Sequence, residues 1–210
     1  KSDLEYIKKI LAKKIRYKII INKKNLGVGK SRNIGIKKTN SKFIAFCDAD
    51  DVWSKKKTEV QLKFMESKNL NFSHTNYNLI DENDKIIGKM NVKENLTFRD
   101  LIKSCDIALS SVIIRRSFLK KNLLFGSNKT KEDYLLWLKI AHLTKIYGLN
   151  KTLLSWRKTK NSLSSNIIQK FIDAYYVYKK VLNKNFLITI YFVIRLSFYF
   201  LIKKTKQKYS

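Results

Sequence analysis

The stretch Phe43-Ile-Ala-Phe-Cys-Asp-Ala-Asp-Asp51 decides the fold, because a short apolar run passes directly into three carboxylates. An apolar run of this length, rich in aromatic residues and Ile, predicts a buried strand. Since side chains alternate along a strand, we expect Asp48 and Asp50 on one face and Asp51 on the other. Neighbouring carboxylates repel each other unless a cation separates them, and a phosphate-bound Mg²⁺ or Mn²⁺ ion is the usual solution. The alternative is a solvated turn that is simply acidic.

The segments on either side of this strand predict an α/β layer. Residues 4–11 follow a helical pattern, residues 15–21 are β-rich, and Gly27-Val-Gly-Lys-Ser-Arg-Asn-Ile-Gly35 begins a second helix. This order of elements is typical of a mostly parallel sheet flanked by helices. Farther along, the patterns predict helices near 60–65 and 131–143 and strands at 71–79, 85–89, 111–115 and 153–157.

The charge composition indicates which partners the chain favours. Lys and Arg total 45 against 16 acidic residues, which gives a formal net charge of +29. Only seven of these basic residues are Arg, whereas bidentate phosphate contacts and base-edge recognition favour Arg over Lys. We therefore expect attraction to anionic membrane surfaces and phosphorylated ligands, and we expect no nucleic-acid partner. Cys47 and Cys105 match no metal or redox spacing, which favours a reducing, cytoplasmic setting.

Polar side chains at the predicted start of the second helix are suited to phosphate. Lys30, Arg32 and Asn33 follow two glycines there, and free backbone N–H groups at a helix start add to the cations. The spacing is not a Walker A loop, because position 24 is Lys where that motif requires Gly. It is not a dinucleotide fingerprint either, since the third glycine would fall on Arg32.

Two further clusters lie in the second half of the chain. Glu132 and Asp133 directly precede an apolar helix, and acids in a first turn stabilise a helix by about 0.3–1 kcal/mol without any catalytic duty. The functional interpretation is that one carboxylate faces a cleft and removes a proton from a substrate hydroxyl. The basic loop at 156–162 is interpreted either as a segment that closes over a diphosphate or as a solvated surface.

Taken together and in this order, these clusters resemble the family 2 glycosyltransferases of the GT-A fold. The resemblance covers roughly residues 1–166 and implies a GT-A-like, mostly parallel sheet flanked by helices. Family members usually begin with two strands that this sequence does not contain, so we expect the sheet to be incomplete at its N-terminus. The basic loop has Thr159 where the family commonly has His. The matching blocks are Gly27-Val-Gly-Lys-Ser-Arg-Asn-Ile-Gly-Ile36, Phe43-Ile-Ala-Phe-Cys-Asp-Ala-Asp-Asp-Val-Trp53, Ser110-Ser-Val-Ile-Ile-Arg-Arg116, Glu132-Asp-Tyr-Leu-Leu-Trp-Leu138, and Trp156-Arg157 with Asn161-Ser162.

The resemblance also implies a role for each site residue. Asp48 would lie near the nucleotide ribose, and Asp50 would bind the divalent metal, Mg²⁺ or Mn²⁺, that bridges the diphosphate. Asp133 would be the general base that deprotonates the acceptor hydroxyl, with Glu132 supporting it. An in-line displacement of this kind inverts the anomeric centre. The residues expected to bind the nucleotide sugar are therefore Arg32, Asp48, Asp50 and Arg157.

The last third of the chain differs in character from the rest. The pattern is helical from position 171, and the 17 residues at 186–202 are almost wholly apolar, with Arg195 near the middle. Such a helix spans about 25 Å, short of a hydrocarbon core of about 30 Å, and Arg195 adds roughly 2.5–3.5 kcal/mol to insertion. We therefore expect a helix that lies in the membrane interface, with flanking lysines on anionic headgroups. The alternative is a buried helix packed on the domain or on a partner.

These inferences predict a glycosyltransferase domain at 1–166 that lacks its first strands, followed by a helical, membrane-associated segment at 167–210. The predicted activity moves a sugar from a nucleoside-diphosphate sugar to a hydroxyl of a lipid-linked or polysaccharide acceptor at the cytoplasmic membrane face. One alternative is an inactive glycosyltransferase-like remnant that serves as a membrane- or partner-binding module. A more distant alternative is a basic nucleic-acid binder.

Overall fold

The computed structural model describes residues 5–6, 8–9, 16–120, 122–159 and 166–208. The predicted helix at 4–11 lies largely outside these residues. The strands are β1 Phe43–Ala45, β2 Val52–Trp53, β3 Phe72–Ile80, β4 Ile86–Met90, β5 Asn95–Leu96, β6 Ile113–Arg115 and β7 Ile146–Arg157. The helices are α1 Val28–Lys38, α2 Lys57–Ser67, α3 Phe98–Leu101, α4 Glu132–Ala141, α5 Ile167–Leu182 and α6 Phe186–Lys208. Short 3₁₀ helices cover Leu109–Ser111 and Arg116–Phe118.

The strands form one sheet whose main order is β1-β6-β3-β7-β2, with β4 paired to β3 and β5 paired to β7. The α/β class with flanking helices is thus as predicted. Among the described strands, however, only β3 and β7 pair in parallel, so the prediction of mostly parallel pairing is wrong. The physical reason is β6, which runs in the opposite direction between β1 and β3. Because both neighbours are antiparallel to β6, β1, β3 and β7 still share one direction.

Two predictions around the acidic stretch are also wrong. Residues 16–21 of the β-rich run at 15–21 form no strand, because no described strand pairs with them. Strand β1 ends at Ala45, and the carboxylates follow in a turn in which the Asp51 N–H donates to the Asp48 carbonyl at 3.2 Å. Hydrogen bonds of this turn, and not strand alternation, therefore orient the carboxylates. The turn also leaves the Cys47 side chain exposed.

The main core lies against α4, whose apolar pattern is visible in the sequence. Tyr134 and Trp137 are among the largest fully buried side chains. The Trp137 ring meets Phe72 of β3 and Phe125 edge-on, with centroid distances of 5.0 and 6.2 Å. Full burial of one large apolar side chain contributes about 1.5–3 kcal/mol. This packing holds α4 firmly and thereby holds Glu132 at its first turn.

Helices α5 and α6 extend the same core. Val177 and Tyr178 of α5, together with Val193 and Leu196 of α6, are buried in the cluster that contains Trp137. This packing agrees with the alternative that one face of the C-terminal helices lies on the domain. A domain boundary at position 166 stays a prediction.

Arg195 of α6 faces the protein. Its Nη2 donates to the Ile102 carbonyl at 3.4 Å, and its guanidinium lies 4.5 Å from the Phe192 ring centroid. Within the described ranges, the structure has no helix with the length and apolar character needed to cross a membrane. Another face of α6 carries exposed apolar side chains, namely Phe186, Leu187, Tyr191, Ile194 and Phe198.

Candidate active site

Arg32 of α1 joins the two acidic segments of the chain. Its Nη2 donates to Asp48 Oδ1 at 2.7 Å. Its Nη1 pairs with Oε1 of Glu132, which lies 100 positions after Arg32 in the sequence. The Arg32 side chain is 19% exposed and that of Glu132 is 9% exposed, so solvent screens this pair only weakly. Burial lowers the pKa of Arg32, but Asp48 and Glu132 outweigh it and raise the pKa, so the guanidinium stays charged. Three predicted site residues are therefore in direct contact.

Helix α1 reaches this position through close contact with the loop before α4. The Asn33 side chain donates from Nδ2 to the Phe125 carbonyl and accepts from the Phe125 N–H, each at 3.0 Å. Gly29 lies so close to the Gly126 carbonyl oxygen that a Cβ at this position would overlap it. The glycine therefore permits the approach that lets Arg32 reach its partners.

Ser110 anchors the acidic turn after β1. The Asp48 N–H donates to Ser110 Oγ at 2.9 Å, and the Trp53 indole N–H donates to the Ser110 carbonyl at 2.8 Å. On the other side of the turn, Asp51 Oδ1 accepts from the Arg157 N–H at 2.9 Å. Burial is the main cause of the raised pKa of Asp51. The turn is thus fixed from two sides.

Asp50 is the exposed carboxylate of this turn. Among the described residues, no group of three or more His, Cys, Asp or Glu is arranged to hold a metal ion. A Mg²⁺ or Mn²⁺ ion would therefore take one or two carboxylates here and its other ligands from water and phosphate, which is the usual way Mg²⁺ is bound. Asp50 fits that arrangement, whereas Asp48 is already paired with Arg32.

The Arg157 side chain is bound to the protein. Its Nε donates to the Asp50 carbonyl at 2.8 Å, and its Nη1 donates to the Asp81 carbonyl at 2.8 Å. Its Nη2 pairs with Asp84 Oδ1 at 2.6 Å. Arg157 therefore ties the acidic turn to the β3–β4 connection, and its contact with a nucleotide sugar stays a prediction.

Asp133 lies beside Glu132 but outside the ion pair with Arg32. Its Oδ1 accepts from the Tyr134 N–H at 2.7 Å. Burial, and next the charge of Glu132, raise the pKa of Asp133 to about 6, against the smaller opposing effects of the Tyr134 N–H, Arg32 and Lys131. A carboxylate with a pKa near neutrality is suited to accept a proton from a reacting group.

The sequence does not predict the residues behind the acidic turn. Lys57 of α2 is fully buried, lies 4.3 Å from the Trp53 ring centroid and donates to Gln61 Oε1 at 2.9 Å. Gln61 Nε2 in turn lies 3.0 Å from both Ser73 Oγ and the Ser111 carbonyl. Burial lowers the pKa of Lys57 to about 8. No sequence signal marks this network, because Lys57 resembles the many exposed lysines around it.

A cavity of about 480 Å³ lies between α1 and β1. Arg32 and Asp48 contribute charged groups to its lining, while Ile36, Ile44 and Phe46 contribute apolar surface. Pockets that bind small ligands commonly measure about 300–1,000 Å³ and combine these two kinds of lining.

Residues 2–123, more than half of the chain, match the model of the family described as Glycosyl transferase family 2. The chain belongs to this family. The resemblance inferred from the five sequence blocks is confirmed, and so is the expectation of a transferase.

Two curated relatives agree with the family assignment. A protein of Rickettsia felis named an uncharacterized glycosyltransferase is 40% identical over 143 residues, which are 67% of this chain and 23% of that protein. The Escherichia coli enzyme WfgD, a UDP-Glc:alpha-D-GlcNAc-diphosphoundecaprenol beta-1,3-glucosyltransferase, is 34% identical over 153 residues, 72% of this chain and 59% of the enzyme. The chain thus spans less than two thirds of the length of either relative.

A solved protein structure, that of S. aureus TarS, has the same fold. The fragment 1–349 of S. aureus TarS, crystallised with UDP-GlcNAc, matches with a TM-score of 0.67 at 23% identity over 86% of this chain and 53% of the TarS chain. At this identity the similarity establishes the fold alone. The predicted GT-A-like architecture is therefore confirmed.

Proposed function

We propose that residues 1–166 act as the catalytic domain of an inverting glycosyltransferase. The domain moves a sugar from a nucleoside-diphosphate sugar to a hydroxyl of a lipid-linked or polysaccharide acceptor. The contact of Arg32 with both Asp48 and Glu132 supports this proposal most directly. Through Arg32, the acidic turn proposed to bind the donor and the first turn of α4 proposed to bind the acceptor belong to one site.

In the proposed reaction, Asp133 acts as the general base. The acceptor oxygen attacks the anomeric carbon while the bond from that carbon to the diphosphate oxygen breaks. The hydroxyl proton passes to the Asp133 carboxylate, whose raised pKa favours this transfer near neutral pH. Because attack occurs opposite the leaving group, the anomeric configuration inverts. Glu132 supports the base by holding Arg32 and by raising the pKa of its neighbour.

The donor diphosphate is assigned to Arg32 and the acidic turn. Free backbone N–H groups at the start of α1 favour phosphate, and the Arg32 guanidinium one turn farther along the helix adds positive charge. Asp50 would hold Mg²⁺ or Mn²⁺ together with the diphosphate, and the metal would neutralise charge on the leaving group. Asp48 is assigned to the ribose. Arg157 would act on the donor by fixing the backbone of Asp50.

The names of similar proteins suggest which substrates to test first. The Escherichia coli relative is named for UDP-Glc and a diphosphoundecaprenol-linked GlcNAc acceptor, and TarS was crystallised with UDP-GlcNAc. We therefore propose a UDP-sugar as donor and a glycan on a polyprenyl diphosphate as acceptor.

The substitution Asp133→Asn tests the general base. We expect transfer to fall by at least about 100-fold, whereas metal-dependent UDP binding stays within about threefold of the parent protein. The exposed Glu94→Gln variant is the control for a lost carboxylate and should retain transfer. Equal loss of transfer and UDP binding in Asp133→Asn would contradict the assignment. Absence of transfer in the parent protein with every donor would favour the inactive remnant.

We further propose that α6 holds the enzyme at the cytoplasmic membrane face through its exposed apolar side chains. Leu187 is 76% exposed and Tyr191 is 58% exposed, and the net charge of +29 favours anionic lipids. The double substitution of Leu187→Glu and Tyr191→Glu should abolish sedimentation with anionic vesicles. Ile86→Glu, at a residue of β4 that is 59% exposed, is the matched control and should sediment normally. Equal sedimentation of all three proteins would contradict the proposal.

A further inference from the structure

Asp173 of α5 is a buried carboxylate with no part in the proposed chemistry. It is 4% exposed, and its Oδ2 accepts from both the N–H and the Oγ1 of Thr130, each at 2.7 Å. Its Oδ1 accepts from Gln169 Nε2 at 3.2 Å. A buried carboxylate is tolerated only when partners of this kind replace water. Asp173 therefore binds the loop that leads into α4.

The first turn of α4 depends on that loop, because the helix begins without a side-chain cap. Its N-cap residue, Lys131, has a φ of 60°, which is the left-handed conformation, and no side-chain hydrogen bond caps the helix. This conformation is unfavourable for a non-glycine residue and persists only where its surroundings impose it. The surroundings here are two contacts with Thr130: Asp173 holds its N–H and hydroxyl, and Asn128 Nδ2 donates to its carbonyl.

We propose that Asp173 is a positioning residue for the transfer reaction: by holding Thr130, it fixes the left-handed Lys131 and thus the direction in which α4 presents Asp133. The inference rests on the proposed role of Asp133 as base. Three peptide units separate Thr130 from Asp133, so a shift of the loop reaches the base directly. Helix α5 can serve as the fixed point because Val177 is buried in the main core.

The substitution Asp173→Ala removes the anchor. A displacement of about 1 Å at a reacting group lowers a rate by up to about 100-fold, so we expect kcat of the full-length protein to fall by at least about tenfold. The KM for the donor should stay within about threefold, because Asp48 on the turn after β1 still holds Arg32 when the first turn of α4 shifts. Asp173→Asn keeps a carbonyl that can accept both bonds from Thr130, and it should restore kcat to within about threefold of the parent.

Val177→Ala is the matched control for a loss of stability alone. Val177 is fully buried on the same helix, and its apolar side chain has no group that could hydrogen-bond to Thr130. The variant should lower Tm, as Asp173→Ala does, but keep kcat per folded molecule. Amide hydrogen exchange provides a second measurement that does not depend on activity. Exchange at positions 130–134 should accelerate in Asp173→Ala and not in Val177→Ala.

Three outcomes would overturn the inference. The first is an equal loss of kcat per folded molecule in Asp173→Ala and Val177→Ala. The second is an Asp173→Asn variant as slow as Asp173→Ala, which would contradict the hydrogen-bond role. The third is equal exchange at 130–134 in the two alanine variants. A parent protein without transfer activity would instead defeat the proposed function, and the exchange measurement would still decide whether Asp173 holds the loop.

Discussion

The turn after β1 and the first turn of α4 both present adjacent carboxylates, yet their surroundings differ. Asp50 is exposed and the Asp48 side chain is 39% exposed, whereas the Glu132 side chain is 9% exposed. Burial and the charge of Glu132 raise the pKa of Asp133. Exposed carboxylates suit a hydrated cation, and a partly buried carboxylate with a raised pKa suits proton transfer.

This difference shows that environment, and not residue type, divides the work between the two segments. In the sequence, each segment is a short group of acids next to an apolar run, with three acids after β1 and two at the start of α4. Arg32 contacts one acid from each segment and the Arg157 N–H holds Asp51, which leaves Asp50 and Asp133 outside these contacts. The two unpaired carboxylates are the ones proposed to meet the metal and the acceptor.

Removing the connection between the two segments should have the largest effect. Arg32→Met leaves Glu132 buried without its partner, so we expect a loss of about 3 kcal/mol in the free energy of unfolding. We also expect kcat/KM to fall by about 100-fold or more, because donor and acceptor groups lose their common contact. Denaturant unfolding and steady-state kinetics measure the two losses. Arg32→Lys should fall in between, since one ammonium replaces a two-armed guanidinium. Unchanged stability in Arg32→Met would disprove the connection.

Neutralising the two neighbouring acids of α4 should shift stability in opposite directions. Glu132→Gln weakens a shielded ion pair and should lower the unfolding free energy by about 1–2 kcal/mol. Asp133→Asn removes a charge that burial disfavours and should raise it by about 1 kcal/mol at neutral pH.

The sign of the Asp133 effect follows from its raised pKa. The folded state favours the protonated carboxyl of Asp133, and this preference adds to the free energy of unfolding of the parent protein. The added free energy is fully present below the unfolded pKa of about 4 and is lost as pH rises through about 6. The advantage of Asp133→Asn over the parent should therefore vanish in acid. Urea unfolding at neutral and acidic pH measures this difference in unfolding free energy. If Asp133→Asn were destabilising at neutral pH, as Glu132→Gln is expected to be, the proposed difference between the two acids would be contradicted.

Two glycines of α1 allow a smaller and sharper test. A Cβ at Gly29 would overlap the Gly126 carbonyl, so Gly29→Ala should destabilise by about 1–2 kcal/mol and slow transfer. Gly35 has no atom within 4 Å of an added Cβ, and Gly35→Ala should stabilise by about 0.5–1 kcal/mol through helix propensity. Thermal unfolding of the two variants measures both changes. Equal shifts in Tm for the two variants would mean that α1 does not lie close to the loop before α4.

Local patterns in the sequence predict most elements of the fold. A helix at 131–143 is found as α4 Glu132–Ala141, and a strand at 71–79 is found as β3 Phe72–Ile80. Periodicity and turn residues are local properties, so they can be read from one chain. The direction of β6 is not local, because it depends on how the chain returns between β1 and β3. For the same reason the sequence shows α6 as a helix but not that Arg195 faces the domain.

The candidate site likewise contains some residues that the sequence identifies and others that only the fold reveals. The acids and Arg32 carry the family resemblance and are therefore identifiable by type and order. The pairing of Arg32 with Glu132 joins positions 100 apart, and no local pattern specifies it. Asp173 and Lys57 are harder still, because one resembles an ordinary helical acid and the other an ordinary surface lysine until the fold buries them.

The dependence of kcat on pH tests the role of Asp133 most directly. Since the base must be unprotonated, transfer should decline as pH falls through about 6, the pKa that burial and the charge of Glu132 give to Asp133. In Glu132→Gln this decline should move to lower pH, because one of the causes of the raised pKa is gone, while Arg32 and Lys131 remain. A transfer rate that stays constant into the ordinary carboxyl range near about pH 4 would contradict the assignment of Asp133 as the base.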